Sequence, residues 1–379
     1  EIIIRVVNLK KVYGMGDAQV VALDSVGLQI RDNEFVAIMG PSGSGKSTLL
    51  KVVAGIAKPT SGRVEVRGKV AQPPHTYAVV ELMNEHQLET FTRDLEIDFA
   101  VSEAGLGRFR VNIFHQRGNV AMVLRFITPE LPTLSDLGMP PILKDLVMLR
   151  RGLILMVGAS GSGKSTTLAA MIDHRNEHSA SHVVTIEDPI EFLHTNKKSI
   201  INQREVGLDT HSYAAALRSA MREAPDVILI GEIRDRETMQ SAIDLAGTGH
   251  LCIATLHANN SPETLDRIIN MYPNDQHNQV FMDLAQYTRA IISQRLVRSK
   301  EGRRVAAVEV MRMTPHLSEI ILKGDISAVK EAFKGTQEPG NQSFDQALFD
   351  HYKKGAISME EALSNADSRS DLEAKINFG

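Results

Sequence analysis

The sequence predicts an α/β fold built around a parallel β-sheet, with a phosphate-binding loop at one edge of the sheet. The pattern G-x-x-x-x-G-K-[ST] occurs at residues 40–47 and again at residues 158–165. An apolar, strand-like segment precedes each loop and a helix-forming run follows it, which is the context expected of a P-loop. Further apolar segments after the second loop are typical of strands covered by helices on both faces, as in a parallel sheet.

Composition and charge narrow the class of protein. The 379 residues are 43% hydrophobic and 23% charged, which is typical of a globular chain of two or three domains. The formal net charge of -4 gives no reason to expect a nucleic-acid partner. The single cysteine, Cys252, excludes an intramolecular disulfide and a multi-thiolate zinc site. No stretch is apolar enough to span a bilayer and no secretory leader is present, so we expect a cytoplasmic protein.

The second loop has the residue types that hold a nucleotide. Its glycines let backbone N–H groups turn towards the phosphates, and the following helix N-terminus adds a partial positive charge. Lys164 is expected to reach the terminal phosphates of ATP, and Ser165 to ligate Mg²⁺. The predicted nucleotide-binding residues are Gly158, Ser160, Gly161, Ser162, Gly163, Lys164, Ser165 and Thr166.

Three apolar strands after the second loop end in polar residues. HVVTI leads into Glu187, DVILI into Gly231 and Glu232, and LCIAT into Leu256 and His257. Because the carboxyl ends of parallel strands meet at the edge where a P-loop opens, these side chains should converge on the phosphates. We expect Glu187 to activate the attacking water and Glu232 to hold Mg²⁺ through water.

Two histidines flank the third of these strands. His257 follows the strand and is expected to contact the γ-phosphate, whereas His250 precedes it and is the weaker candidate for the same role. A structural role explains His250 equally well.

The first loop lacks comparable companions. Gly40, Gly45, Lys46 and Ser47 supply its motif, but no apolar strand ending in a carboxylate follows before the second unit begins. A P-loop without a magnesium-positioning carboxylate and a water-activating group does not hydrolyse ATP, so we predict that this site is inactive.

With these motifs in place, residues from about 75 to 379 resemble the type IV pilus retraction ATPases, the PilT and PilU group of the secretion ATPases. The matching segments are GASGSGKST, TIEDPIEF, QREVG, APDVILIGEIRDRET, TGHLCIATLHANN and SFDQALFDHYKKGAISMEEAL. The resemblance implies a RecA-like P-loop NTPase motor domain over residues 129–379. It also implies a smaller, PAS-like α+β domain before the motor, of which residues 69–128 are the truncated remainder.

The same resemblance implies roles and partners. Glu187 would be the general base, Glu232 the magnesium-side glutamate, and His250 with His257 the histidine box. ATP would bind, with Mg²⁺, between the subunits of a homo-hexamer. The ring would act, alone or with a sister retraction ATPase, on an inner-membrane platform protein at the base of the pilus. The segments TPHLSEIILKGDI and GEIRDRETM are nearer the accessory PilU type than PilT.

Arginines on strand-like runs are a further expectation. Arg108, Arg110 and Arg125 stand where the family places arginines that reach the ATP of the neighbouring subunit, although surface charge explains each one equally well. We also expect GRVEVRGKV to replace a lost strand of this domain, with residues 62–70 pairing with residues 108–126.

Residues 1–68 resemble the opening third of an ABC transporter ATPase of the lipoprotein-release or cell-division type. The segment runs from LKKVYG to GRVEVRG, and the LSGGQ signature that completes an ABC site is absent from the whole sequence. Two alternatives to a retraction motor remain open here. One is an ABC transporter subunit, and the other is a non-functional fusion without ATPase activity.

The C-terminal segment predicts short amphipathic helices that pack on the motor. Ser343 with Gln346, and Ser358 with Glu361, have the spacing of helix-capping boxes, and Gly355 is a stop signal between them.

Overall fold

The computed structural model describes residues 2–13, 20–31, 36, 38, 44–53, 58–66, 69–70, 83–103, 107–117, 119–127, 130–334 and 338–378. The chain divides into two compact units, Glu1–Pro129 and Glu130–Gly379. Among the described residues, no helix combines the length and the apolar character needed to cross a membrane.

The first unit contains two antiparallel sheets and two helices in its described part. Its elements are β1 (Ile2–Tyr13), β2 (Val20–Arg31), α1 (Lys46–Val53), β3 (Ser61–Val66), β4 (Lys69–Val70), α2 (Glu85–Asp94), β5 (Glu96–Glu103), β6 (Gly107–Gln116) and β7 (Asn119–Ile127). One sheet has the order β2-β1-β3-β4 and the other β5-β6-β7. Of the strand predicted just before the first P-loop, residues 34–39, only Val36 and Ile38 are described; its other residues, and Gly40, lie outside the described part of the chain.

The expected pairing of residues 62–70 with residues 108–126 is wrong. In the described structure β3 pairs with β1 and β4, whereas β6 pairs with β5 and β7. The reason is the apolar pattern of β1, whose Val6 lies opposite Val64 and is buried together with it. Both sheets contribute to one hydrophobic cluster, in which these valines join Val111 and Ile113 of β6.

The second unit is the larger one and consists of a seven-stranded sheet with helices on both faces. Its elements are α3 (Ile142–Val147), β8 (Gly152–Val157), α4 (Lys164–His178), β9 (His182–Glu187), β10 (Ile200–Glu205), α5 (Tyr213–Ala220), β11 (Val227–Ile230), α6 (Arg236–Gly247), β12 (Leu251–Leu256), α7 (Ser261–Ile269), α8 (His277–Tyr287), β13 (Thr288–Arg298), β14 (Arg304–Arg312), α9 (Pro315–Leu322), α10 (Ile326–Lys334), α11 (Phe344–Lys353), α12 (Met359–Ser364) and α13 (Arg369–Phe378).

The sheet has the order β10-β9-β11-β12-β8-β13-β14. All neighbours are parallel except β14, which returns antiparallel to β13. Strands β8, β11 and β12 are buried along their whole length because one hydrophobic cluster covers each face of the sheet. The predicted parallel α/β core is therefore confirmed, since only strands covered on both sides can be apolar throughout.

The C-terminal helices begin at the predicted residues. The Ser343 hydroxyl accepts a hydrogen bond from Gln346 N at 3.2 Å, and the Ser358 hydroxyl accepts one from Glu361 N at 3.1 Å. Gly355 adopts a φ of 72° between the two helices. Helices α11 to α13 form a separate hydrophobic cluster with β13 and β14, which confirms that their apolar residues pack on this unit.

Candidate active site

The P-loop connects β8 to α4 and is shaped by its glycines and by a neighbouring strand. Gly158 and Gly163 have φ values of 151° and 87°. A Cβ atom on Gly158 would lie 2.5 Å from the carbonyl oxygen of Gln294, and one on Gly163 would lie 2.8 Å from the Gln294 side-chain nitrogen. Only glycine permits this close approach, so the loop is pressed against β13.

The Lys164 ammonium group lies at the mouth of this loop. Its Nζ donates hydrogen bonds to the carbonyl oxygens of Gly158 at 2.7 Å and Ala159 at 3.0 Å. Burial lowers the pKa of Lys164, whereas the charges of Glu232 and Glu191 raise it. The two carboxylates therefore favour the charged form of the lysine, which is the form that binds phosphate.

Glu232 is the centre of a charged network at the end of β11. Its Oε1 lies 2.6 Å from Nε2 of His257, and its Oε2 accepts a hydrogen bond of 2.5 Å from Nε of Arg234. Arg234 also approaches Asp188 at 3.4 Å. The side chain of Glu232 is 18% exposed and that of His257 is 43% exposed, so both groups remain accessible to a ligand.

Glu187, the last residue of β9, is held on one side by hydrogen bonds. Its Oε1 accepts from the hydroxyl of Thr185 at 2.6 Å and from Nε2 of Gln203 at 3.1 Å. Burial raises the pKa of Glu187, the two hydrogen bonds oppose this, and the charge of Glu191 adds to the rise. A carboxylate whose pKa is raised towards neutrality is a stronger base for water than an exposed one.

Strand polarity places these groups at one edge of the sheet. β9, β11 and β12 run parallel to β8, and Leu256 of β12 lies opposite Val157, the residue before the P-loop. Glu187, Glu232 and His257 therefore lie at the carboxyl edge, together with the loop and its lysine.

His250 does not lie at this edge. It precedes Leu251, which pairs with Gly152 at the opposite end of β8. The His250 Nδ1 lies 3.1 Å from the Thr248 hydroxyl and 3.2 Å from the Leu245 carbonyl oxygen. The six residues of β12 separate the two sheet edges by about 20 Å at the rise of an extended strand. Within one chain, the expectation that His250 joins the site is wrong, because the residue precedes the strand instead of following it.

Gln294 belongs to the site and was missed from the sequence. It is 2% exposed, its Nε2 donates to the Ser162 carbonyl oxygen at 2.8 Å, and its Oε1 accepts from the Thr167 hydroxyl at 2.8 Å. It therefore fixes the P-loop to the first turn of α4. The available signal was an amide shortly after the apolar run Ala290–Ile292 in a strand-like segment, because a buried amide requires partners.

A cavity of about 490 Å³ adjoins the outer side of the P-loop. Its lining includes residues 158–162 of the P-loop and Arg298 and Arg304 of the β13–β14 hairpin. This volume lies within the range of about 300–1,000 Å³ that small-molecule sites occupy. An ammonium group, backbone N–H donors, the exposed Ser165 and the Glu232 carboxylate together form a donor set that fits Mg²⁺ and a nucleotide.

The three candidate arginines, Arg108, Arg110 and Arg125, lie on one face of the β5-β6-β7 sheet. Arg110 forms an ion pair of 2.6 Å with Asp98, and Arg108 donates to the Ser102 hydroxyl at 3.1 Å. Arg125 lies directly opposite Arg110 in the strand pair and is exposed. The alternate residues of β6 point into the core, so this face is the outer one.

At the first P-loop, Lys46 begins α1 and its Nζ donates to the Ser44 hydroxyl at 3.3 Å. Gly45 has a φ of 82°, and a Cβ atom there would collide with the carbonyl oxygen of Ala22. In the described part of this unit every strand pair is antiparallel. No carboxyl edge like that of the second unit is therefore formed by those strands.

Comparison with known proteins identifies the family. The pattern of the Type II/IV secretion system protein family matches residues 89–364, and that of the ABC transporter family matches residues 23–116. The type IV pilus ATPase PilU of Pseudomonas aeruginosa is 50% identical over 302 residues, which cover 79% of each chain. The retraction ATPase PilT of the same organism is 41% identical over 288 residues, covering 76% of this chain and 84% of PilT.

A solved structure agrees with these matches. The crystal structure of the pilus retraction motor PilT with bound ADP superposes with a TM-score of 0.72 at 38% identity, covering 84% of this chain and 93% of that one. The identities also agree with the segments that favour the PilU type. The chain therefore belongs to the type II/IV secretion system protein family and, within it, to the type IV pilus ATPases.

Proposed function

We propose that this chain is the ATP-hydrolysing subunit of a pilus retraction motor, and that hydrolysis takes place at the second P-loop. The observation that supports this most directly is the carboxyl edge of the seven-stranded sheet, where Glu187, Glu232 and His257 lie with the P-loop lysine. The relationship to PilU and PilT supports the assignment of the work to pilus retraction.

In the proposed reaction each side chain has one task. Lys164 and the backbone N–H groups of the loop bind the phosphates, while Glu187 accepts a proton from the attacking water. Ser165 and Glu232 would hold Mg²⁺, whose charge offsets the negative charge that develops on the phosphates. His257, whose Nε2 lies 2.6 Å from Oε1 of Glu232, orients that carboxylate and would contact the γ-phosphate.

We further propose that the site is completed by a neighbouring subunit of a homo-hexamer. Arg108 and Arg110 already bond to Ser102 and Asp98, whereas Arg125 is exposed and makes no hydrogen bond or ion pair with any described residue. Arg125 is thus the best of the three candidates for an arginine that acts in trans.

The proposed setting is the cytoplasmic side of the inner membrane at the pilus base. There the ring would act on a platform protein, alone or with a sister retraction ATPase. Opening and closing of subunit interfaces with each ATP cycle would supply the movement.

The proposed domains are the motor at residues 129–379, the PAS-like remainder at residues 69–128 and the ABC-like fragment at residues 1–68. The first P-loop has no catalytic role in this proposal. Its support is the antiparallel pairing of the described strands of the first unit, which do not form a carboxyl edge like that of the second unit.

A lysine comparison tests the assignment. Lys164→Ala should lower ATP turnover to background because the phosphates lose their principal cation, whereas Lys46→Ala should leave turnover unchanged. Phosphate release is measured for the two purified variants side by side, with circular dichroism as the folding control. Loss of turnover in Lys46→Ala alone would refute the assignment and favour an ABC-type site.

A further inference from the structure

Glu309 on β14 is a buried carboxylate that the proposed reaction does not use. It is 3% exposed and forms no ion pair with any described residue. Its Oε1 accepts three hydrogen bonds, from the Ser261 backbone N–H at 2.8 Å, the Ser261 hydroxyl at 2.6 Å and the Ser293 hydroxyl at 2.9 Å. Burial raises the pKa of Glu309, and the hydrogen bonds from Ser261 and Ser293 oppose that rise.

These hydrogen bonds hold the end of the loop that carries His257. The loop runs from the end of β12 to Ser261, which is the first residue of α7 and is fully buried. A carboxylate that accepts from the first N–H of a helix fixes where that helix begins. Since only residues 257–260 lie between β12 and Ser261, fixing Ser261 also limits where the His257 ring can lie relative to Glu232.

Strand β13 connects this loop to the P-loop. Ser293 donates to Glu309, and the next residue, Gln294, holds the P-loop from the opposite face of the sheet. Arg295, the residue after that, donates to the carbonyl oxygen of Asn259 at 3.2 Å. Three consecutive residues of one strand therefore contact Glu309, the P-loop and the loop that carries His257, and the first two of these contacts are buried.

We propose that Glu309 is a positioning residue for ATP hydrolysis: it fixes Ser261, and so holds His257 against Glu232 at a set position relative to the P-loop. The proposal rests on the function proposed above. Glu309 itself touches none of the reacting groups, so removing its acceptor oxygens should impair the chemical step more than nucleotide binding.

Two substitutions of Glu309 separate positioning from general stability. Glu309→Gln retains an oxygen that can accept from Ser261 and Ser293, whereas Glu309→Leu removes both acceptors and leaves their donors buried without a partner. Ile321→Ala is the matched control, because Ile321 is buried in α9 of the same unit and its truncation removes apolar contacts but no hydrogen-bond partner of Glu309 or Ser261.

The measurements are kcat and KM for Mg-ATP, the affinity for a fluorescent ADP analogue, and amide hydrogen exchange of the segment that contains Ser261. We expect Glu309→Leu to lower kcat about tenfold or more, because displacement of a catalytic group by about 1 Å has effects of this size. KM and ADP affinity should be unchanged, and exchange at Ser261 should rise. Glu309→Gln should recover most of the turnover, and Ile321→Ala should retain full turnover despite a lower melting temperature.

Unchanged kcat in Glu309→Leu, or an equal loss of kcat in the Ile321→Ala control, would overturn the proposal. So would unchanged exchange at Ser261, which can be judged even if the unsubstituted chain does not hydrolyse ATP. Absence of turnover in the unsubstituted chain would instead refute the proposed function, so the two failures are distinguishable.

Discussion

At the scale of single residues, the two glutamates of the site have different surroundings and therefore suit different tasks. Both oxygens of Glu232 are engaged, one by Arg234 and the other by His257. Glu187 has no cation within ion-pair distance among the described residues, and its pKa is raised by burial. This contrast supports Glu187, and not Glu232, as the base.

Glu187→Gln should abolish turnover while nucleotide binding persists. The amide keeps the size and the hydrogen bonds of the side chain but cannot accept a proton, so we expect a loss of about 10²- to 10⁴-fold in kcat. ADP-analogue titration and phosphate release on the same preparation measure both quantities. Reduced nucleotide affinity with unchanged kcat would show that Glu187 has another role.

The raised pKa of Glu187 also predicts a pH profile for the unsubstituted chain. The base acts in its charged form, so kcat should fall as the pH decreases through the raised pKa, at a higher pH than the ordinary value of 4.5 would give. The folded chain binds this proton more tightly than the unfolded chain, so the free energy of unfolding decreases as the pH rises and Glu187 becomes charged. Glu187→Gln removes that charge, so it should not lower the melting temperature at pH 7.

At the scale of elements, strand direction explains most of the site. A residue that directly follows a parallel strand lies at the carboxyl edge, and a residue that directly precedes one lies at the opposite edge. His257 and His250 illustrate both cases on β12. The strand assignments could be predicted because β8, β9, β11 and β12 are apolar and short. The contribution of β13 could not, because Gln294 lies 132 residues from the P-loop residue that it binds.

The helix caps of the C-terminal segment provide a stability test at this scale. Ser343→Ala and Ser358→Ala each remove the acceptor for a first-turn N–H, which should cost about 1 kcal/mol of unfolding free energy. Urea denaturation followed by circular dichroism measures this. Ser370→Ala, at an exposed position of α13, is the control and should have no effect. If the two caps do not stabilise the folded chain, the urea midpoints of all three variants will be equal, and the prediction is wrong.

At the scale of the whole molecule, the two P-loops differ in their surroundings and not in their motifs. Both have the same spacing of glycine, lysine and serine, yet only the second is followed by parallel strands in the described structure. The ABC transporter pattern matches residues 23–116 and overlaps the secretion-family match that begins at residue 89. The first unit therefore combines sequence related to two families, and its two sheets share a single hydrophobic cluster.

Mixing of inactive subunits tests the proposed ring. Arg125→Ala and Lys164→Ala should each be inactive alone, because one lacks the arginine and the other the phosphate-binding lysine. If Arg125 acts on the neighbouring subunit, a mixture should regain activity, since about a quarter of the interfaces in a 1:1 random ring combine an intact lysine with an intact arginine. Phosphate release is measured after co-refolding or co-expression of the two chains.

If analytical ultracentrifugation shows mixed rings and the mixtures stay inactive, Arg125 does not act on the ATP of the neighbouring subunit. Arg108→Ala, which changes a neighbouring arginine on the same sheet face, is the matched control and should keep turnover in a pure ring.

The sequence by itself determined the features that depend on neighbouring residues. These are the P-loop motif, the apolar strands of the second unit, the helix caps at Ser343 and Ser358, and the polar residues at the strand ends. Local patterns suffice for them because backbone geometry and strand polarity act over a few residues.

Only the tertiary structure decided the contacts between distant segments. It paired β3 with β1 instead of β6, set Gln294 against the P-loop, and joined Glu309 to Ser261 across 48 residues of chain. Such contacts depend on which apolar faces and which buried polar groups meet once the layers have packed, and the spacing of residues along the chain does not specify that choice.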